Sequence, residues 1–209
     1  MSGQIGGHSH PHIPTPKDDD PPTRFMLMGL AVRELLIEKG IVTAAALDTA
    51  VSDMDARTPS RGARVVARAW TDPAFKQRLM TTGTAAVEEM GIAIEPTILV
   101  VVENTAHVHN VVVCTLCSCY PRMLLGLPPD WYKSRPYRSR VVNEPRTVLR
   151  EFGTELGPDV TVRVHDSSAD MRYMVLPMRP SGTAGMSETE LAELVTRDCM
   201  IGVSVPKTP

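Results

Sequence analysis

The sequence is poor in aromatic residues. Phe, Trp and Tyr make up 4% of 209 residues, so aliphatic side chains must fill the core, and a partner is expected to cover some of the surface. An excess of charge of either sign is also missing: 22 Lys and Arg stand against 24 Asp and Glu, a formal net charge of -2. That balance gives no footing for nucleic acid or a membrane surface as partner. No apolar run approaches the ~20 residues of a membrane-spanning helix. The opening residues, 1–14, lack the apolar middle of a secretion signal. A cytoplasmic protein is expected. No internal repeat is visible. Cysteine is scarce, four in all, yet Cys114, Cys117 and Cys119 fall within six residues. A disulfide framework spreads its cysteines to staple distant segments. This clustering does the opposite, and in a reducing compartment it points to a metal.

What is present is enough for a core: 43% of residues are apolar, in a chain long enough for one domain with extra length or two small ones. Residues 1–23 read as a flexible tail, with Gly, Pro, the acidic Asp18, Asp19 and Asp20, and three histidines (His8, His10, His12) able at most to hold a stray divalent ion. Residues 24–91 read as a helical arm. Phe25, Met28, Val32, Leu35 and Leu36 give an apolar stripe that stops at Gly40. Thr43 is a candidate N-cap for a second helix through Leu47 and Val51. Val65, Val66 and Ala69 face away from Arg61, Arg64 and Arg68 in a third. Asp72 and Pro73 open a fourth, and Gly91 ends a fifth.

Residues 92–209 change character. Short β-branched runs at 98–102 and 111–113, with 160–163 and 172–176, predict four strands of a mixed sheet. Leu127-Pro128-Pro129 marks a loop, and residues 145–152 a helix. Ser187 and Glu190 form a capping box opening a helix through Leu191, Leu194 and Val195. The C-terminal part is therefore α+β.

The segment Val113-Cys114-Thr115-Leu116-Cys117-Ser118-Cys119 leaves a strand and turns tightly. Three thiolates from six residues enclose a tetrahedral zinc poorly, since such sites draw two ligands from each of two knuckles. His107 and His109 offer a mixed Cys/His zinc site, and three unliganded cysteines are the plainest option. A claw is the third reading. The sulfurs of Cys117 and Cys119 share a plane with the backbone nitrogens of Ser118 and Cys119, closing five- and six-membered chelate rings, with Cys114 as axial ligand. The sixth octahedral position stays open. Amide nitrogen binds only when deprotonated, which requires a strongly Lewis-acidic trivalent ion rather than zinc.

This motif resembles that of the nitrile hydratase α subunit, which the catalytic subunit of thiocyanate hydrolase shares. The resemblance continues through Arg33 to Lys39, Val66 to Trp70, Val102 to Thr105, Leu125 to Lys133, Tyr137 to Arg140, Arg172 to Pro177 and Val195 to Asp198, covering about residues 25–206. It implies a helical N-terminal arm that wraps a β-type subunit, followed by a layered α/β/β/α domain carrying the metal-binding cysteine loop. It implies a lyase that hydrates a small-molecule nitrile to the amide. By the same resemblance Cys114 stays a thiolate, Cys117 becomes a sulfinic acid and Cys119 a sulfenic acid, and the amides of Ser118 and Cys119 bind the metal. Thr115 stands where cobalt-type members carry Thr, so non-corrin Co(III) is expected, with Fe(III) the alternative. A cobalt-insertion accessory protein is usual in the family.

Oxidised cysteines are anionic and need donors. In the family two β-subunit arginines supply them; from this chain Arg172 is the candidate, and Glu103 is a candidate to orient the site. Two positions depart from the common nitrile hydratase pattern: Arg122 replaces a Trp, and Glu95 replaces a Gln. Thiocyanate hydrolase also has Tyr-Pro-Arg here, and a cation beside the cysteine loop suits an anionic substrate or a polar nitrile. Three functions are therefore carried forward: nitrile hydratase, thiocyanate hydrolase, and a non-enzymatic zinc module. The first two differ in product, amide against carbonyl sulfide.

Overall fold

The computed structural model of the chain describes residues 21–94 and 96–209. The predicted tail histidines and acidic run, and Glu95, lie outside the described residues. Two compact units are present, one ending at Ala50 and one running Val51–Pro209.

The first unit holds α1 (Arg24–Glu38) and most of α2 (Ala44–Asp55). Thr23 caps α1 by accepting the Met26 N–H at 3.3 Å, and Thr43 accepts the Ala46 N–H at 3.1 Å, the role its position predicts. A 3.5 Å Arg33–Asp48 pair joins the two helices. Neither helix has a buried residue, and Phe25 at the start of the apolar stripe is 81% exposed. The stripe is present but uncovered.

The second unit contains α3 (Ser60–Thr71), α4 (Pro73–Thr81), α5 (Gly83–Glu88), β1 (Ile98–Glu103), β2 (Val108–Val113), α6 (Arg122–Leu125), α7 (Asp130–Lys133), α8 (Arg135–Asn143), α9 (Pro145–Glu151), β3 (Thr161–Asp166), β4 (Met171–Leu176), α10 (Glu188–Glu193) and α11 (Arg197–Ile201). Local signals explain several of them. Val65, Val66 and Ala69 of α3 are buried as one face. Asp72 caps α4 through the Phe75 N–H at 2.9 Å, with Pro73 in the first turn. The Ser187–Glu190 capping box is formed at α10.

The sheets differ from expectation. Instead of one mixed sheet there are two parallel pairs, β1 with β4 and β2 with β3. The reason lies in the connections. Residues 104–107 and 167–170 are too short for a crossover within one sheet, so each carries the chain from one sheet to the other. Asn104 at the first step is buried and fully used: its N–H donates to Leu176 O at 2.9 Å and its side-chain oxygen accepts the Asn110 N–H at 2.7 Å. The sheets meet through β2 and β4, with α4 and α5 against β1 and α9 against β3. The result is an α+β fold of stacked layers. Helices α7 and α8 occupy a stretch where the sequence reading had none. Ser134 starts α8 by accepting the Tyr137 N–H at 3.3 Å. Gly202 ends α11 at φ 90°, and a Cβ there would stand 2.0 Å from Asn110 O, so α11 is seated directly on β2.

Candidate metal centre

Strand β2 ends at Val113, and the next seven residues form the cysteine loop. Cys114 is buried at its base, Cys117 is exposed and Cys119 half-buried. The three sulfurs lie within 4.8 Å of one another. Cys114 Sγ stands 3.5 Å from Cys117 Sγ, which stands 3.3 Å from Cys119 Sγ. The Cys117 N–H points at Cys114 Sγ at 3.3 Å. Among the described residues this is the one group of three or more metal-ligating side chains.

The predicted Cys/His alternative is not assembled. His109 is buried and bonded through Nε2 to Gly202 O at 2.7 Å, with burial pushing its pKa down, and His107 is exposed outside the group. Cys199, inside α11, pairs with Thr196 Oγ1 at 3.1 Å. Glu103 does not orient the loop either; it forms an ion pair with Lys76.

Neighbouring elements hold the loop in shape. The β2–β3 register sets Asp166 opposite Val113, and its carboxylate accepts both the Thr115 N–H at 2.9 Å and the Thr115 hydroxyl at 2.6 Å. The Tyr132 hydroxyl donates to Cys119 O at 2.8 Å, the Tyr137 hydroxyl to Val112 O at 2.7 Å, and Arg138 Nη1 to Thr115 O at 3.3 Å. Tyr120, Trp131, Tyr132, Tyr137 and Phe152 pack edge-on beneath the loop, so five of the chain's few aromatics (three Phe, two Trp, four Tyr) sit in one place. Sequence reading missed Asp166, Tyr132, Tyr137 and Arg138 as supports. The clustering of aromatics between 120 and 152 in an aromatic-poor chain was the available signal.

The thiols do not titrate alike. Cys117 is brought down to about 7 by hydrogen bonds from Cys119 and then Cys114, with the N–H groups of Ser118 and Cys119 also directed at its sulfur. Burial pushes Cys119 up to about 12, its two cysteine neighbours add to the rise, and the Arg172 guanidinium opposes it. Of these two thiols Cys117 ionises first, with the backbone N–H groups of Ser118 and Cys119 directed at its sulfur.

Beside the loop lies an open cavity of about 370 Å³, lined in part by Cys117, Ser118, Cys119, Arg57, Arg122 and Arg172. The structure thus brings Cys117, Ser118, Cys119, Arg122 and Arg172 to one cavity with Cys114 at the base of the loop, whereas Glu103, His107 and His109 lie elsewhere. Arg172 Nη1 is already engaged by backbone carbonyls of the β3–β4 turn, Ser168 and Ala169 among them. A larger cavity of about 700 Å³ runs along α4, α5 and β1, but among the described residues its only titratable lining residue is Glu88. Chemistry belongs to the smaller one.

Known proteins give the same reading. The family model "Nitrile hydratase, alpha chain" matches residues 24–204. The low-molecular weight cobalt-containing nitrile hydratase subunit alpha of Rhodococcus rhodochrous is 54% identical over 181 residues, 86% of this chain and 87% of that one. Thiocyanate hydrolase subunit gamma of Thiobacillus thioparus is 45% identical over 195 residues, 88% of this chain and 80% of that one. A solved recombinant thiocyanate hydrolase with partially modified cobalt centres superposes with a TM-score of 0.85 at 43% identity, covering 90% of this chain and 92% of that one. A match over nearly the whole length, with its cysteine motif folded into a three-sulfur group, means that this chain belongs to the nitrile hydratase alpha-chain family.

Proposed function

We propose that the chain is the metal-holding subunit of a nitrile hydratase, adding water across a nitrile C≡N to give the amide. The observation that carries this is the convergence of Cys114, Cys117 and Cys119, with the Ser118 and Cys119 N–H groups directed at the Cys117 sulfur, beside an open cavity. The sulfur spacing can be set against both geometries. Sulfurs about 2.3 Å from one ion stand roughly 3.3 Å apart at right angles and roughly 3.8 Å apart at the tetrahedral angle. The 3.3 Å between Cys117 and Cys119 matches the right-angled case, and the 3.5 Å between Cys114 and Cys117 falls about midway between the two.

In this reading Cys114, Cys117, Cys119 and the Ser118 and Cys119 nitrogens hold non-corrin Co(III), with Fe(III) the lesser candidate. Such an ion polarises the nitrile and activates the attacking oxygen. Cys117 as sulfinate and Cys119 as sulfenate present anionic oxygens to the cavity. Arg172 balances that charge next to Cys119, and Arg122 faces the incoming substrate. Asp166, through Thr115, keeps the loop from relaxing. The attacking oxygen bonds to the nitrile carbon and the two protons of one water end on the nitrogen; if the sulfenate oxygen attacks, its S–O bond then breaks and that water supplies the oxygen that restores the sulfenate. A β-type subunit is the expected partner. The uncovered stripe of α1 and the 88% exposure of Leu116 at the loop tip support it. A cobalt-insertion protein and a cytoplasmic setting belong to the same reading. No helix of the described residues is long and apolar enough to cross a membrane.

Thiocyanate hydrolysis is the second reading, favoured by one observation, the exposed Arg122 on the cavity wall. Intact mass and metal content of the unreduced protein, expressed with its partner and cobalt, test the centre. About one cobalt per chain is expected, with two added oxygens on Cys117 and one on Cys119. Zinc with unmodified thiols in that preparation overturns the proposal. Assay of a nitrile against thiocyanate then separates the two enzymes.

A further inference from the structure

Three arginines line one cavity, and they are not equivalent. Arg172 has its Nη1 tied to the β3–β4 turn and acts on Cys119. Arg122 is the first residue of α6 and stands exposed on the cavity wall. Arg57 comes from the turn after α2, within the Val51–Pro209 unit. Its backbone is held against the end of α6: Gly126 has φ 70°, and a Cβ there would meet Arg57 O at 2.3 Å. That close approach fixes Arg57 to the same short helix that carries Arg122. Among the described residues neither the Arg57 nor the Arg122 guanidinium has a hydrogen-bond or ion-pair partner, and none of the described residues lining the cavity is a carboxylate. With Arg172 set against the charge of the oxidised cysteines, two further arginines with no carboxylate beside them among the described residues favour an anion arriving with the substrate.

Size then selects among anions. Thiocyanate has three heavy atoms, each about the size of a water molecule at about 30 Å³. It would fill roughly a quarter of the 370 Å³ cavity. We propose that Arg57 and Arg122 form an anion clamp and that the substrate is a nitrile bearing a carboxylate at the end remote from its C≡N group. The C≡N end lies over Cys117 and Cys119, and the carboxylate lies against α6. This rests on the nitrile hydratase reading above and names the substrate class of that same site.

The test uses the chain assembled with its partner subunit. The quantity measured is the ratio of kcat/KM for 3-cyanopropanoate to that for butanenitrile, a neutral nitrile of similar length. A ratio rather than a rate is chosen because loss of metal lowers both rates together. The wild-type ratio is expected to exceed ten and to fall as salt screens the charges. Arg122→Gln and Arg57→Gln should each lower it about tenfold, and Arg122→Lys should largely keep it. Calorimetric binding of the two product amides, succinamate and butanamide, should show the same preference without turnover. If Arg57→Gln fails to fold, the exposed Arg122 still decides the matter. A wild-type ratio near one, or a ratio unmoved by Arg122→Gln, overturns the clamp. Turnover of thiocyanate faster than either nitrile overturns both the cyano-carboxylate and the nitrile hydratase reading. A cobalt-loaded, oxidised preparation that turns over none of the three overturns the enzyme reading alone, and succinamate binding still tests the clamp.

Discussion

Thr115 carries two loads at once. Its backbone N–H and its hydroxyl both end on the Asp166 carboxylate, so a single residue between Cys114 and Cys117 ties the loop to β3. Thr115→Val removes the 2.6 Å hydroxyl contact and keeps the shape. Because the contact is open to water, the loss of global stability should be small, about 1 kcal/mol. The loop itself should suffer more, so cobalt per chain should drop well below wild type in parallel preparations, read by elemental analysis. A Thr115→Val protein with full cobalt and unchanged activity would show that the tether is dispensable. Histidines set a second residue-scale expectation. Burial lowers the pKa of His109 and of His165, for which Arg163 adds to the effect. The native state therefore disfavours their charged forms. As pH falls below the unfolded value of about 6.5, the unfolded chain takes up protons that the folded chain refuses, and stability declines. Thermal melts should be flat above about pH 7.5 and drop toward pH 5, with a smaller drop in His109→Gln. Equal drops in both proteins would assign the acid sensitivity elsewhere.

Between the elements, the critical contacts are backbone to backbone. Gly202 brings α11 onto β2 so closely that any Cβ meets Asn110 O, in a conformation that L residues seldom adopt. Gly202→Ala should cost about 3 kcal/mol or more and lower Tm by ten degrees or more. A melt within two degrees of wild type would mean that the helix simply shifts. Elements also differed in how far they were legible. Capping left a local trace, so Thr43, Asp72 with Pro73, and Ser187 with Glu190 marked helix starts correctly. The β-branched runs marked strands but not their partners, because pairing joins residues 73 apart in β1–β4 (Ile98 with Met171) and 53 apart in β2–β3 (Val108 with Thr161). The parallel pairs β1–β4 and β2–β3 therefore could not be read from the sequence. α8 was hidden by its polar, Arg-rich face, with only Tyr137 and Val141 buried. For the site, the three cysteines were legible from spacing alone. Arg57 and Asp166 were not, since nothing local marks a residue that arrives from another element.

At the scale of the whole molecule, the aromatic poverty of the chain proves to be uneven rather than general. The rings are gathered under the cysteine loop, and with them goes one of only two tryptophans. Trp131 stacks edge-on with Tyr137 at 4.8 Å and Phe152 at 4.7 Å, next to the Tyr132 that holds Cys119 O. Trp70 instead bonds to Pro177 O at 2.9 Å, at the end of β4. The molecule therefore contains a built-in optical gauge. A coloured metal–thiolate centre accepts excitation energy from a nearby indole, and Trp131 is the one placed to supply it. Filling the loop with cobalt should dim the fluorescence of the wild-type chain. In Trp131→Phe the remaining emission from Trp70 should change less, so the extent of dimming in the purified protein becomes a count of filled centres.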